Sequence, residues 1–123
     1  MLNNHLYTIV SSEKLEGINH VEVALHADDI IYRSHFPGNP ITPGVCIIQM
    51  LKELVEMMEE RLYMIHEVKN VKFLKIINPV ENNRIEFFIT CNNEADTLQV
   101  SAEIKHKEET FAKLNLLLTE WHP

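Results

Sequence analysis

One stretch of this chain, and only one, repeats its apolar residues at helical spacing over about twenty positions. Ile47, Ile48, Leu51, Leu54, Val55, Met58 and Leu62 recur three or four apart and form one face. Lys52, Glu53, Glu56, Glu59 and Glu60 form the other, which is expected to be solvated. The pattern predicts a helix over about residues 43–62, with Thr42 as N-cap and Pro43 in the favoured first helical position. The remaining regular stretches read at period two and predict strands. Residues 5–13 and 18–27 precede the helix, and 64–77, 83–92, 97–106 and 109–120 follow it with no second helix among them. Val21, Val23, Leu25 and Ala27 alternate with His20, Glu22, Ala24 and His26, and Leu98, Val100, Ala102 and Ile104 with polar neighbours. Phe88 breaks the alternation of Ile85, Phe87, Ile89 and Cys91. Asn92–Asp96 and Lys107–Glu108 read as hairpin turns. Two strands, one long helix and an antiparallel meander make an α+β plan. A helix of about 20 residues spans about 30 Å, and with no second helix to pack on it, the sheet must curl around it to cover its apolar face.

Composition bounds the rest. A length of 123 residues fits a single domain over 1–123. A domain of that size buries one core, and many such domains oligomerise to bury more. No run of about 18 apolar residues is present, which excludes membrane insertion through a helix. The first residues, Met1-Leu2-Asn3-Asn4-His5, lack the basic and apolar regions of a secretory signal, so a cytoplasmic protein is expected. Cys46 and Cys91 are expected as two buried free thiols. No Cys/His cluster has zinc-ligand spacing, so neither a metal nor another cofactor is expected. The net charge of −7 argues against a nucleic-acid surface, which needs a concentrated basic patch.

Chemistry concentrates just before the helix. Residues 35–45 read His-Phe-Pro-Gly-Asn-Pro-Ile-Thr-Pro-Gly-Val and hold three of the five prolines and two of the three glycines. Stiff backbone of this kind brings one titratable imidazole, His35, upstream of a helix N-terminus, where free N–H groups can receive a polar ligand atom. The plainer readings are a histidine that satisfies loop backbone and a glycine, Gly44, that serves helix packing.

Element order and loop together resemble the hot-dog fold. The segment from His35 to Val45 is similar to the signature of the (3R)-hydroxyacyl-acyl carrier protein dehydratases of fatty-acid synthesis, in which His-Phe-Pro is followed by a Pro-Gly-Val that opens the central helix. Residues 68–79, ending Ile-Ile-Asn-Pro, resemble the family more weakly. The resemblance implies an antiparallel sheet wrapped around one central helix, and removal of water from a 3-hydroxyacyl thioester. His35 is then the base that takes the C2 proton, a task suited to a pKa near neutral. The Gly44 and Val45 amides would receive the charge that develops on the thioester oxygen, and Phe36 would wall the acyl chain. The family carries a glutamate or aspartate near this point of the helix, in the glutamate-bearing branch four residues after Pro-Gly-Val, where this chain has Gln49. A glutamine hydrogen-bonds a hydroxyl or a water but cannot deliver a proton. Either His35 moves both protons while Gln49 orients, or the protein keeps the acyl site and lacks fast turnover; the plainer reading of Gln49 is that it begins the polar helix face beside Glu53, Glu56 and Glu60.

The resemblance further implies homodimers or trimers of dimers, with the histidine of one subunit facing the helix of the other. The acyl group would be carried on the phosphopantetheine arm of acyl carrier protein or coenzyme A. An acidic carrier needs basic residues to dock on, and Lys69, Lys72 and Lys75 with Arg33, Arg61 or Arg84 are the candidates. Lys69 and Lys75 share strand parity, and Lys72 does not. Two other functions fit the same residues: a hot-dog acyl thioesterase in which His35 or Gln49 positions water, and a non-catalytic acyl-binding subunit that partners an active paralogue.

Overall fold

Six strands pair antiparallel throughout into one sheet, ordered β1-β2-β4-β5-β6-β3, in a computed structural model that describes residues 2–34 and 38–123. The strands are β1 (Tyr7–Leu15), β2 (Ile18–Leu25), β3 (Tyr63–Phe73), β4 (Arg84–Glu94), β5 (Thr97–His106) and β6 (Glu109–Glu120). Between β2 and β3 lie a short α1 (Ile30–Ser34) and the long α2 (Gly44–Glu59). Two hairpins close through two-residue turns with left-handed backbone at both centres, Glu16-Gly17 and Lys107-Glu108, the geometry that matches strand twist.

The core forms where the period-two faces of the strands meet the period-3.6 face of α2. Val21, Val23, Ile85, Phe87, Ile89, Val100, Ile104, Leu114, Leu116 and Leu118 are buried from the sheet, and Ile47, Met50, Leu51, Leu54 and Val55 from the helix. The α+β plan and the single wrapped long helix are therefore as expected. Phe88 breaks the alternation because it faces outward, where it stacks on His20 with ring centroids 4.5 Å apart and lies beneath the Lys105 ammonium.

Several boundaries differ from the sequence reading, each for a local reason. Pro43, not Thr42, is the N-cap of α2, and Gly44 is the first helical residue. The Thr42 hydroxyl instead bonds the buried Tyr32 hydroxyl at 2.9 Å. The helix stops at Glu59 because Glu60 turns left-handed, with φ 55°, leaving Leu62 exposed outside the apolar face. Strand β3 ends at Phe73, paired with Ala112 of β6; the Leu74 and Lys75 N–H groups then share one acceptor, the Phe111 carbonyl, and the chain folds back so that the Thr42 N–H donates to the Ile77 carbonyl at 2.9 Å. Residues 2–6 form a turn ahead of β1, and a bulge between Ile9 and Ser11 accommodates the adjacent apolar pair Ile9 and Val10. Helix α1 has no counterpart in the sequence reading: a single turn, capped where Asp29 Oδ1 accepts from the Ile31 N–H at 2.9 Å, is too short to show a period. Cys46 and Cys91 are free but half-buried rather than buried; burial pushes both thiols up, Cys91 to about 11.

Gly44 has the packing role that is the plainer of its readings from sequence. A Cβ built there would lie 2.8 Å from two ring atoms of Phe73, so the missing side chain lets the end of β3 lie against the first turn of α2. Gly44→Ala is expected to cost about 1–2 kcal/mol by overpacking, and the cost should largely disappear in a Phe73→Ala background. Chemical denaturation of the four proteins checks the coupling; equal costs in both backgrounds would refute it.

Candidate functional site

The N-terminus of α2 is pinned from both sides. Tyr32 of α1 holds Thr42 through its hydroxyl, and Ile77 holds the Thr42 backbone. Burial raises the Tyr32 hydroxyl to about 12, partly countered by Thr42, so it stays a neutral hydrogen-bonding group at physiological pH. The first amides to join the helix ladder are those of Cys46 and Ile47, which donate to the Pro43 carbonyl at 3.0 and 3.2 Å. The Gly44 and Val45 amides precede them and have no intrahelical acceptor. The Val45 side chain is 75% exposed, so the outer side of this turn is open. A cleft of about 300 Å³ lined by Ile41, Gly44, Ile47, Phe73 and Ile77 adjoins it. His35 and Phe36 lie outside the described residues.

Gln49 lies half-buried on α2, five residues beyond Gly44, or about 7.5 Å along the axis. It borders a second, open cleft of about 440 Å³ with Lys52, Met64, Ile65 and Trp121. Its amide Nε2 donates to Glu53 Oε2 at 2.8 Å. Glu53 is the principal departure from the expected solvated face: it is only 8% exposed. Its two oxygens accept four hydrogen bonds. The Leu2 N–H and Gln49 reach Oε2, while the Asn3 N–H and the buried Tyr7 hydroxyl reach Oε1; the Leu2, Asn3 and Tyr7 contacts are each 3.0 Å. Burial alone would raise the carboxyl. The donors from Leu2, Gln49, Tyr7 and Asn3 overcome it and hold Glu53 below its ordinary value. Burial, followed by the Glu53 charge, drives the Tyr7 hydroxyl strongly upward, so it remains a donor.

Glu56 is also drawn out of the solvated face. It accepts from the Tyr63 N–H at 2.8 Å and pairs with Lys52 at 3.3 Å, tying the C-terminal half of α2 to the start of β3. The roles of Glu53 and Tyr7 had no local signal in the sequence, because the donors that bury the carboxylate come from residues about fifty positions away.

Among the candidate cations, Arg61 pairs with Glu120 at 3.3 Å, Arg84 with Glu22 at 3.2 Å, and Lys75 with Glu109. Lys75 lies past the end of β3, and a bulge between Val68 and Asn70 falls at Lys69, so simple strand parity does not relate the three lysines. Among the described residues no helix is long and apolar enough to cross a membrane.

This arrangement of one helix in a curled six-stranded sheet is the hot-dog fold. It is similar to the dehydratase heterocomplex ApeI:P from Xenorhabdus doucetiae, with TM-score 0.72 and 18% identity, covering 91% of this chain and 96% of that one. It is also similar to a mutant of the thioesterase SAV0944 from Staphylococcus aureus, with TM-score 0.69 and 12% identity, covering 98% of both. In sequence, the 3-hydroxyacyl-[acyl-carrier-protein] dehydratase FabZ of Geobacter metallireducens is 27% identical over 93% of this chain and 80% of its own length. The profile of the ApeI-like family, described as ApeI dehydratase, matches residues 11–114. The chain belongs to this family of hot-dog dehydratases.

The depressed carboxyl of Glu53 carries a sign. Its stabilising contribution is complete well above the ordinary value of 4.5 and is lost as the pH falls through that value toward the lower folded-state one. Glu53→Gln should therefore be less stable than wild type at pH 7, by about 1–3 kcal/mol, and the difference should shrink on acidification. A difference in melting temperature that stays constant from pH 7 to the lowest pH at which both proteins fold, well below 4.5, would contradict this.

Proposed function

We propose that the protein converts 3-hydroxyacyl thioesters, carried on acyl carrier protein or coenzyme A, to trans-2-enoyl thioesters. The observation that carries this reading is the joint presence, on one helix of an ApeI-like chain, of first-turn amides at Gly44 and Val45 without intrahelical acceptors and a polar side chain, Gln49, five residues beyond Gly44. His35 takes the C2 proton, and the electron pair moves into the thioester as an enolate. The Gly44 and Val45 amides stabilise the charge on its oxygen. The enolate then collapses to the C2=C3 double bond as the C3–O bond breaks, and His35 returns its proton to the departing hydroxyl, which leaves as water. Gln49 orients that hydroxyl, and Phe36 walls the acyl chain.

The site is read as shared between two copies of the chain. Among the described residues strand β3 bonds a neighbouring strand only on its β6 side, and along and beyond it Met64, Val68, Phe73, Leu74 and Ile76 are exposed, at 43–64% of their surface. An apolar edge of this kind invites pairing with another strand, and a twofold contact there would set α2 of one copy near the loop of the other. The heterocomplex named for the Xenorhabdus relative supports a second form of the same contact, with a paralogue in place of the second copy. Docking of an acidic carrier would draw on Lys69 and Lys72, for which no ion pair is found among the described residues.

Hydration of an enoyl thioester, the reverse reaction, tests the chemistry. Wild type is expected to hydrate it, and His35→Ala to lose about 10²–10⁴-fold. Thiol release without hydration would favour the thioesterase reading, and binding of acyl carrier protein with neither activity the non-catalytic subunit.

Mixing tests the shared site. His35→Ala and Gln49→Ala, each impaired alone, should regain about a quarter of wild-type activity when refolded together, because half the dimers then hold one intact site. No recovery, with mixed dimers demonstrated, would assign His35 and Gln49 to one chain.

A further inference from the structure

We propose that Glu53 is a positioning residue that fixes the Gln49 amide with its carbonyl oxygen toward the substrate, so that the site accepts a hydrogen bond from the 3-hydroxyl group. This rests on the thioester dehydratase reading above. An ionised carboxylate only accepts hydrogen bonds, so the Gln49 group that meets Glu53 Oε2 at 2.8 Å must be Nε2. A reversed amide would set two acceptors against each other. Oε1 is thereby turned away from Glu53, and Gln49 stands at the edge of the open cleft.

Glu53 is suited to this task because it cannot move. It sits one helical turn beyond Gln49 on the same side of α2, is 8% exposed, and is held by the Leu2 and Asn3 amides and the Tyr7 hydroxyl, each at 3.0 Å. A carboxylate so enclosed does not itself reach a substrate; it acts through Gln49. Two consequences follow. A 3-hydroxyacyl group donates its hydroxyl hydrogen to Oε1, which leaves the hydroxyl oxygen's lone pairs free to take the proton that His35 returns. A saturated or enoyl chain has no such donor and leaves Oε1 unpaired, so the site discriminates between substrate and product by one hydrogen bond.

The experiment compares the binding of two unreactive probes, the pantetheine amides of a 3-hydroxyacyl and of the saturated acyl chain of the same length, to wild type and to Glu53→Gln. A neutral hydrogen bond is worth about 5-fold in affinity. Wild type is expected to prefer the hydroxyacyl probe by about that factor, and Glu53→Gln to lose the preference while binding the saturated probe as before. A purely structural role would weaken both probes together. The preference retained in folded Glu53→Gln would overturn the proposal. The Gln49 side-chain amide resonances are followed in parallel, and should move away from their carboxylate-bonded position in Glu53→Gln; unmoved resonances would overturn the lock. If wild type binds neither probe, the thioester reading falls and the substrate half of the proposal with it, while the resonances still decide the lock. A second pair of variants isolates the contact. Gln49→Glu alone sets two carboxylates together and should lower the melting temperature, and the Q49E/E53Q double variant should recover it by reversing the bond. No recovery would count against a direct contact.

Discussion

The constraint on which everything else depends is that one helix must bury its apolar stripe inside one sheet. Helix α2 offers Ile47, Met50, Leu51, Leu54 and Val55, and no other long helix is present among the described residues to receive them. Only the concave face of a curled sheet covers such a stripe, and the alternating residues of the strands supply that face. With α2 fixed from below, its two ends become the places where polar chemistry can be built. At the N-terminal end the Gly44 and Val45 amides lack intrahelical acceptors, with Gly44 against Phe73. The C-terminal half is tied by Glu56 to the start of β3.

The polar side of α2 is organised in a way that a helical wheel does not convey. Gln49, Glu53 and Glu56 share a sector, yet Glu53 is buried and Glu56 caps a strand, while Glu60 is exposed. What separates them is the neighbour each meets. The turn formed by residues 2–6 covers Glu53 with backbone donors, which makes a charge tolerable away from water. Among the described residues four hydrogen bonds compensate it.

This is also where the sequence stopped being legible. The helix, the six strands and the outward or inward sense of most strand residues were all readable from periodicity, because burial in a two-layer fold follows local pattern. The family could be read from the motif of residues 35–45, although His35 itself lies outside the described residues. Helix ends were less legible: Pro43 and Glu60 set them through backbone dihedrals that no apolar pattern records. Glu53 was misread because its environment is made by long-range contacts with Leu2, Asn3 and Tyr7. The short α1 was missed because five residues hold little more than one turn, although Tyr32 within it secures the entry to α2.

The strand order carries one more consequence, for how the chain reaches this structure. Hairpins β1-β2, β4-β5 and β5-β6 join neighbours in sequence, whereas the seams β2-β4 and β3-β6 join strands far apart, as Asn19 to Ile89 and Tyr63 to Glu120. Helix α2 lies in the chain between those seams, so it cannot be enclosed until both have closed. The loop-closure entropy is met before the core rewards it. Folding is therefore expected to be slow and cooperative for a chain of this length, with the hairpins forming early and the enclosure of the helix as the committing step.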